Sequence, residues 1–167
     1  MKLVKILKEI WSYLVIIIVV LLVRTFIITP VNVDGDSMYP TLKDKEILLL
    51  KKYDKTIERF DIVVFRYGNT KYIKRVIGLP GEHIEYKNNE LYINYEKIED
   101  VKLFTATDNF MLEDLGLSVI PENMYFVIGD NRVNSQDSRV IGLVSKEDIE
   151  GITTFRIFPF NKIGSFN

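Results

Sequence analysis

The chain of 167 residues has no cysteine. That excludes a disulfide framework, a thiolate metal site and a cysteine nucleophile, and it leaves an oxidising or a reducing compartment equally open. Histidine is almost as scarce, with His83 the only one. Any Ser-His-Asp scheme must therefore run through His83 or not exist. Residues 1–30 contain neither alanine nor glycine, so the small-residue cleavage site of a removable leader is missing there. Net charge is also low, at −1. Lys2, Lys5, Lys8 and Arg24 against Glu9 give the first 30 residues a net +3, which leaves −4 for the rest. A body this acidic carries no electrostatic footprint for nucleic acid.

What is present is apolar. The hydrophobic fraction is 47% and the aromatic fraction 12%, enough for the core of one ordinary domain with at most a short appendage. Residues 11–29, WSYLVIIIVVLLVRTFIIT, are apolar except for Ser, Thr and one Arg. As a helix they would extend about 28 Å, close to the hydrocarbon thickness of a bilayer. Trp11 and Tyr13 suit the headgroup level, and Arg24, near the far end, can snorkel outward. A buried helix or core strand is the plainer alternative, and length and flanking charge favour the span. Three lysines before it place the N-terminus in the cytoplasm. The expected organisation is an uncleaved anchor over residues 1–30 and an extracytoplasmic body over residues 31–167.

Beyond the anchor the pattern is strand-like. Glu46–Leu50, Asp61–Arg66 and Lys71–Ile77 are short apolar runs, the last two ended by Gly68-Asn69 and Gly78-Leu79-Pro80-Gly81. His83–Tyr86 and Leu91–Asn94, separated by Lys-Asn-Asn-Glu, predict a hairpin with a four-residue loop. Met124–Ile128 and Ile152–Phe158 complete the set, and Ser145–Ile149 could open one helical turn. Residues 101–122 are expected to form a surface excursion. The fold class is mainly β, an irregular barrel or sandwich.

Three stretches could carry chemistry. Gly35-Asp36-Ser37-Met38-Tyr39-Pro40-Thr41-Leu42 sets a serine in a tight turn, and such a hydroxyl usually bonds its own backbone. In Lys71–Ile77, Tyr72, Lys74 and Val76 share one face and Ile73, Arg75 and Ile77 the other, so one long cation lies among apolar neighbours whichever face is inward. An exposed edge strand is the bland reading. Gly129-Asp130-Asn131-Arg132-Val133-Asn134-Ser135-Gln136-Asp137-Ser138-Arg139 is a polar loop directly after an apolar strand; alone it reads as a solvated turn, with Asp130 or Asp137 free to cap it or hold a cation.

Taken in order, these stretches and Arg59–Phe65 closely resemble the boxes of type I signal peptidases, over most of the chain from Pro30 to about Val144. The short body and single span resemble the Gram-positive form. The resemblance implies a membrane-anchored serine endopeptidase that removes signal peptides from exported preproteins, with Ser37 as nucleophile and Lys74 as general base, and no cofactor or metal. Its implied partners are preprotein signal peptides, the lipid bilayer and the secretion machinery. Ser135 would orient the Lys74 amine, Asp130 would pair with Arg75, Asp137 with Arg139, and Met38 would line the substrate cleft. A lysine titrates near 10.4, so a base working near pH 7 needs its charged form disfavoured by about 4 kcal/mol. Desolvation is the available source, and a carboxylate touching Lys74 would oppose it. Asp130 and Asp137 are therefore expected not to contact the amine. The Ser37 N–H would hold the oxyanion with at least one more donor. The Gram-negative pattern has a serine two positions before the nucleophile, and Gly35 lacks that side chain. A eukaryotic-type branch uses histidine in place of the lysine, but the Lys74-Arg75 box is intact here and His83 is expected to be structural. Phe155, Phe158 and Phe160 could be core or a lipid-resting patch, with core expected for most. The rival functions are another Ser-Lys processing peptidase of the same clan and a non-catalytic anchored β-domain that binds exported proteins.

Overall fold

A computed structural model describes residues 2–52, 56–100 and 105–166, with backbone alone for residues 2–7, 23, 25 and 26. A long helix, α1 (Lys2–Phe26), leads into a body of short antiparallel strands. The helix stops earlier than the span expected over residues 11–29. Thr29 precedes Pro30 and is biased toward extended backbone, and Ile28–Asn32 form strand β1. The Thr29 hydroxyl donates to the Arg24 carbonyl at 2.7 Å, satisfying a carbonyl of the last turn. Among the described residues no helix is long and apolar enough to cross a membrane.

The strands are β2 (Ile47–Lys51), β3 (Ile62–Tyr67), β4 (Thr70–Gly78), β5 (Ile84–Lys87), β6 (Glu90–Ile93), β7 (Glu96–Ile98), β8 (Phe110–Met111), β9 (Met124–Ile128), β10 (Val144–Ser145), β11 (Ile149–Phe158) and β12 (Gly164–Ser165). The larger sheet runs β1-β2-β11-β3-β4-β9-β10, with β12 on β11, and the smaller runs β7-β6-β5-β8. The body is mainly β, and among the described residues no pairing closes either sheet into a barrel. β3 lies centrally, and its residues Ile62–Phe65 are all buried. Ile62 and Val64 face one core with Leu42, Leu48 and Leu50, while Val63 and Phe65 face another with Val76, Val127 and Ile149. A third core, around Ile84, Tyr86, Leu91 and Phe126, lies under the smaller sheet.

Several local expectations shift. The β5–β6 hairpin turns on two residues, not four, because Asn88 and Asn89 both take positive φ (53° and 67°), which asparagine tolerates and a type I′ turn requires. The single turn expected at 145–149 is present, closed by Asp148 N–H to the Ser145 carbonyl (3.1 Å) and Ile149 N–H to the Lys146 carbonyl (3.3 Å). A short helix not expected, α2 (Ser138–Ile141), precedes it, capped by the Asp137 side chain at the Arg139 N–H. The excursion over 101–122 is not merely on the surface: Phe110, Leu112 and Ile120 are buried in the third core, and residues 101–104 lie outside the described residues. Phe155, Phe158 and Phe160 are not core. They are 38%, 40% and 78% exposed, Phe155 and Phe158 on the last residues of the strand Ile149–Phe158 and Phe160 in the short 3-10 turn that follows it.

Candidate active site

Strand β4 builds the site. Both of its faces are covered from Ile73 to Gly78, which settles the face question left open by the sequence: Lys74 and Arg75 are both inside, at 2% and 6% exposure. Lys74 is paired across to Val63 and Arg75 to Ile62. Lys74 Nζ lies 2.7 Å from Ser37 Oγ and donates to its own neighbour's carbonyl, that of Ile73, at 3.0 Å. The Tyr72 ring stands 5.6 Å from the amine. Burial brings the Lys74 pKa down to about 8, with the charges of Asp137 and Asp130 working in the other direction.

Ser37 is held in a turn closed by Tyr39 N–H to Asp36 carbonyl (3.1 Å) and Leu42 N–H to Met38 carbonyl (2.8 Å). Met38 and Leu42 are buried and anchor the turn in the core. Gly35 has φ +84°, open to glycine at no strain, and its N–H is already engaged by Asp44 Oδ1 at 2.8 Å. Gly35 therefore supplies no second oxyanion donor in this arrangement.

The polar loop after β9 wraps the other side. Asp130 takes a bidentate pair from Arg75 (2.9 and 2.7 Å) and a hydroxyl hydrogen bond from Thr41 at 2.5 Å. Asp137 takes the same from Arg139 at 2.9 Å from each of Nε and Nη2, together with the Gly129 N–H. Burial alone would raise the Asp137 pKa; Arg139 and the Gly129 amide overcome it and hold the carboxyl below its usual range. Neither carboxylate hydrogen-bonds Lys74. Ser135 departs from the expected contact. Its buried hydroxyl makes no hydrogen bond of acceptable geometry, neither to Lys74 nor to the nearby Asp137.

Four residues of this site were not singled out by type. Asn131 clasps the nucleophile turn, its N–H on the Ser37 carbonyl (3.0 Å) and its side chain on that of Asp36 (3.1 Å). Thr41 and Arg132 join the carboxylate network. Gly129 is required by space, since a Cβ there would collide with Ser135 Oγ and lie 2.5 Å from the Ser37 carbonyl oxygen. All four lie inside the quoted stretches, but spacing alone does not say which backbone atoms meet. His83 lies elsewhere, buried against Tyr95 with Nε2 on Glu113.

Ser37, Met38 and Lys74 line a cleft of about 760 Å³, walled by Pro30–Asp36 on one side and Asn69–Ile73 on the other, with Asn134 and Gln136 at its rim. An apposed hydroxyl and desolvated amine in an open cleft are the elements of nucleophilic acyl transfer. The model of the family described as signal peptidase, peptidase S26, matches residues 6–158. The chain is 43% identical over 170 residues to signal peptidase I S of Bacillus subtilis, covering 94% of this chain and 92% of that protein. It is 39% identical over 176 residues to signal peptidase IB of Staphylococcus aureus, covering 95% and 92%. A crystal structure of a signal peptidase I from Enterococcus faecalis superposes with a TM-score of 0.54 at 38% identity, over 58% of this chain and 96% of that one. The chain belongs to the signal peptidase family, peptidase S26.

Proposed function

We propose that the protein is a membrane-anchored serine endopeptidase that removes N-terminal signal peptides from exported preproteins, with Ser37 as nucleophile and Lys74 as general base. The observation that carries this reading is the 2.7 Å contact between the buried Lys74 amine and Ser37 Oγ. The neutral amine takes the Ser37 proton as Oγ adds to the scissile carbonyl. The Ser37 N–H, which has no acceptor among the described residues, holds the oxyanion. The ammonium then returns its proton to the leaving amine, and water, activated by the same lysine, frees the acyl-enzyme. The Ile73 carbonyl holds the amine from the other side; Arg75 and Arg139 hold Asp130 and Asp137 away from it; Met38 shapes the cleft floor.

Residues 1–30 act as the anchor and 31–167 as the extracytoplasmic body. In support, the described apolar side chains of α1, from Ile10 to Leu22, are exposed. Phe155 lies in register with Leu49 and Pro30, and Phe158 with Ile47 and Asn32, so an apolar face continues from the helix end and suits a lipid surface. Cleavage of a preprotein in detergent by the wild type, Ser37→Ala and Lys74→Ala tests the dyad. Processing by the wild type alone is expected. Full activity in either variant overturns the mechanism, and an inactive wild type that still binds the preprotein favours a binding domain.

A further inference from the structure

Arg132 is buried (4% exposed) and lies between the two sheets, outside the cleft. Its Nη1 reaches Thr107 Oγ1 at 2.7 Å, Asp100 Oδ2 at 2.8 Å and the Tyr86 hydroxyl at 3.1 Å. Its guanidinium stands 5.3 Å from the Tyr86 ring. These partners belong to the smaller sheet and the segment leading into β8. The backbone of the same residue is pinned at both ends, its N–H on Thr105 Oγ1 (3.1 Å) and its carbonyl under Arg139 Nη2 (2.8 Å). The preceding residue, Asn131, is the one whose N–H holds the Ser37 carbonyl. We infer that Arg132 is a positioning residue for the peptidase reaction, fixing the catalytic loop, and through Asn131 the nucleophile turn, onto the smaller sheet. This rests on the proposed Ser37–Lys74 mechanism.

The placement has an electrostatic consequence. Lys74 feels two carboxylates, Asp130 and Asp137, each paired with its own arginine. Asp130 also lies within the field of Arg132, so Arg132 adds a third cation to the screen between those acids and the base. Loss of its charge exposes Lys74 to more of the Asp130 field and favours the ammonium. Loss of its tether lets the Ser37 turn drift, and misplacement by about 1 Å in a near-attack geometry lowers the rate on the order of 100-fold. Both effects fall on turnover and neither on the cleft walls.

The test uses the full chain in detergent and a preprotein substrate, comparing wild type with Arg132→Gln, Arg132→Lys, Tyr86→Phe and Thr107→Val. The expected result for Arg132→Gln is a kcat reduced roughly 10- to 100-fold with KM little changed, and an acid limb of kcat/KM moved to higher pH. Arg132→Lys recovers the limb while recovering only part of kcat, since an ammonium keeps the charge but, on a shorter stem, does not reproduce the position of Nη1, which makes all three side-chain contacts. Should Arg132→Gln fail to fold, Tyr86→Phe and Thr107→Val loosen the guanidinium from the smaller sheet alone, and a smaller fall in kcat at constant KM is expected from each. Wild-type kcat and acid limb in every folded variant overturns the inference, as does a loss that follows thermal stability alone with the limb unmoved. If wild type itself does not cleave, or Ser37→Ala does, the underlying mechanism is at fault and not the role of Arg132.

Discussion

Two adjacent residues of β4 carry buried cations, and the protein treats them in opposite ways. Arg75 turns from the cleft into a bidentate pair with Asp130 and a hydrogen bond to the Phe60 carbonyl, a charge buried with its partner. Lys74 turns toward the cleft and gets only a hydroxyl and a carbonyl, a charge buried without one. A paired guanidinium stays protonated, whereas a desolvated ammonium with neutral acceptors gives up its proton readily. Alternation along one strand thus separates a structural cation from a chemical one by a single residue.

Removing the chemical cation has the largest expected effect. Lys74→Met should lower preprotein cleavage on the order of 10³-fold or more, since it deletes the base. The same variant should be more stable at neutral pH. The folded-state pKa of about 8 lies below the unfolded value of 10.5, so the unfolded chain holds the proton more tightly. The resulting penalty, up to roughly 3 kcal/mol, is fully present below pH 8 and disappears as pH rises to about 10.5. Thermal melts at pH 7 and pH 10.5 check it: a gain at the first that fades at the second is expected. A methionine variant less stable at pH 7 would mean that burial is not what depresses the lysine.

Next comes the space around the pair. Gly129→Ala puts a methyl group against Ser135 Oγ and the Ser37 carbonyl. The nucleophile must shift, and kcat should fall about 100-fold with KM nearly unchanged. Wild-type turnover would show that the loop yields without moving Ser37.

The structural cation answers differently. Asp130→Asn leaves Arg75 buried and half-partnered, with an expected stability loss of roughly 3 kcal/mol read by denaturant midpoint. The acid limb of kcat/KM should move to lower pH, because Asp130 raises the Lys74 pKa. Stability and chemistry then change in opposite senses, which neither a uniform unfolding nor a direct Asp130–Lys74 contact produces. An upward shift of the limb would break the contrast between the two faces.

Ser37, Lys74 and the Asp130–Arg75 and Asp137–Arg139 pairs were legible through the resemblance of three ordered stretches to the signal peptidase boxes; residue pattern alone offered a serine in a turn, one long cation among apolar neighbours and a polar loop. It could not show that both faces of β4 are buried, since period-2 alternation assumes one wet face; that follows from β3 standing centrally between two cores. The Asn88-Asn89 turn was hidden because its φ values come from strand pairing as much as from residue type. Gly129, Asn131 and Thr41 were invisible as site residues for another reason. What matters there is where a backbone atom or an absent methyl group sits, and only folding brings residue 129 to residue 37.

A third cation on the same strand sharpens the contrast at its weak end. Lys71 is also paired, its Nζ 2.7 Å from Glu150 Oε2 with Arg66 on the other oxygen at 3.0 Å. By distance alone this looks as strong as the Arg75–Asp130 pair. The difference is water, since the Lys71 and Arg66 side chains are 45% and 58% exposed against 7% for Arg75. In high dielectric the Coulomb gain is small and is offset by the entropy of holding two long side chains. Lys71→Met should therefore change stability by no more than about 0.5 kcal/mol, and less in high salt. A loss comparable to that of Asp130→Asn would mean that pairing, and not burial, distinguishes the cations of β4, and the explanation offered for the Lys74 base would fall with it.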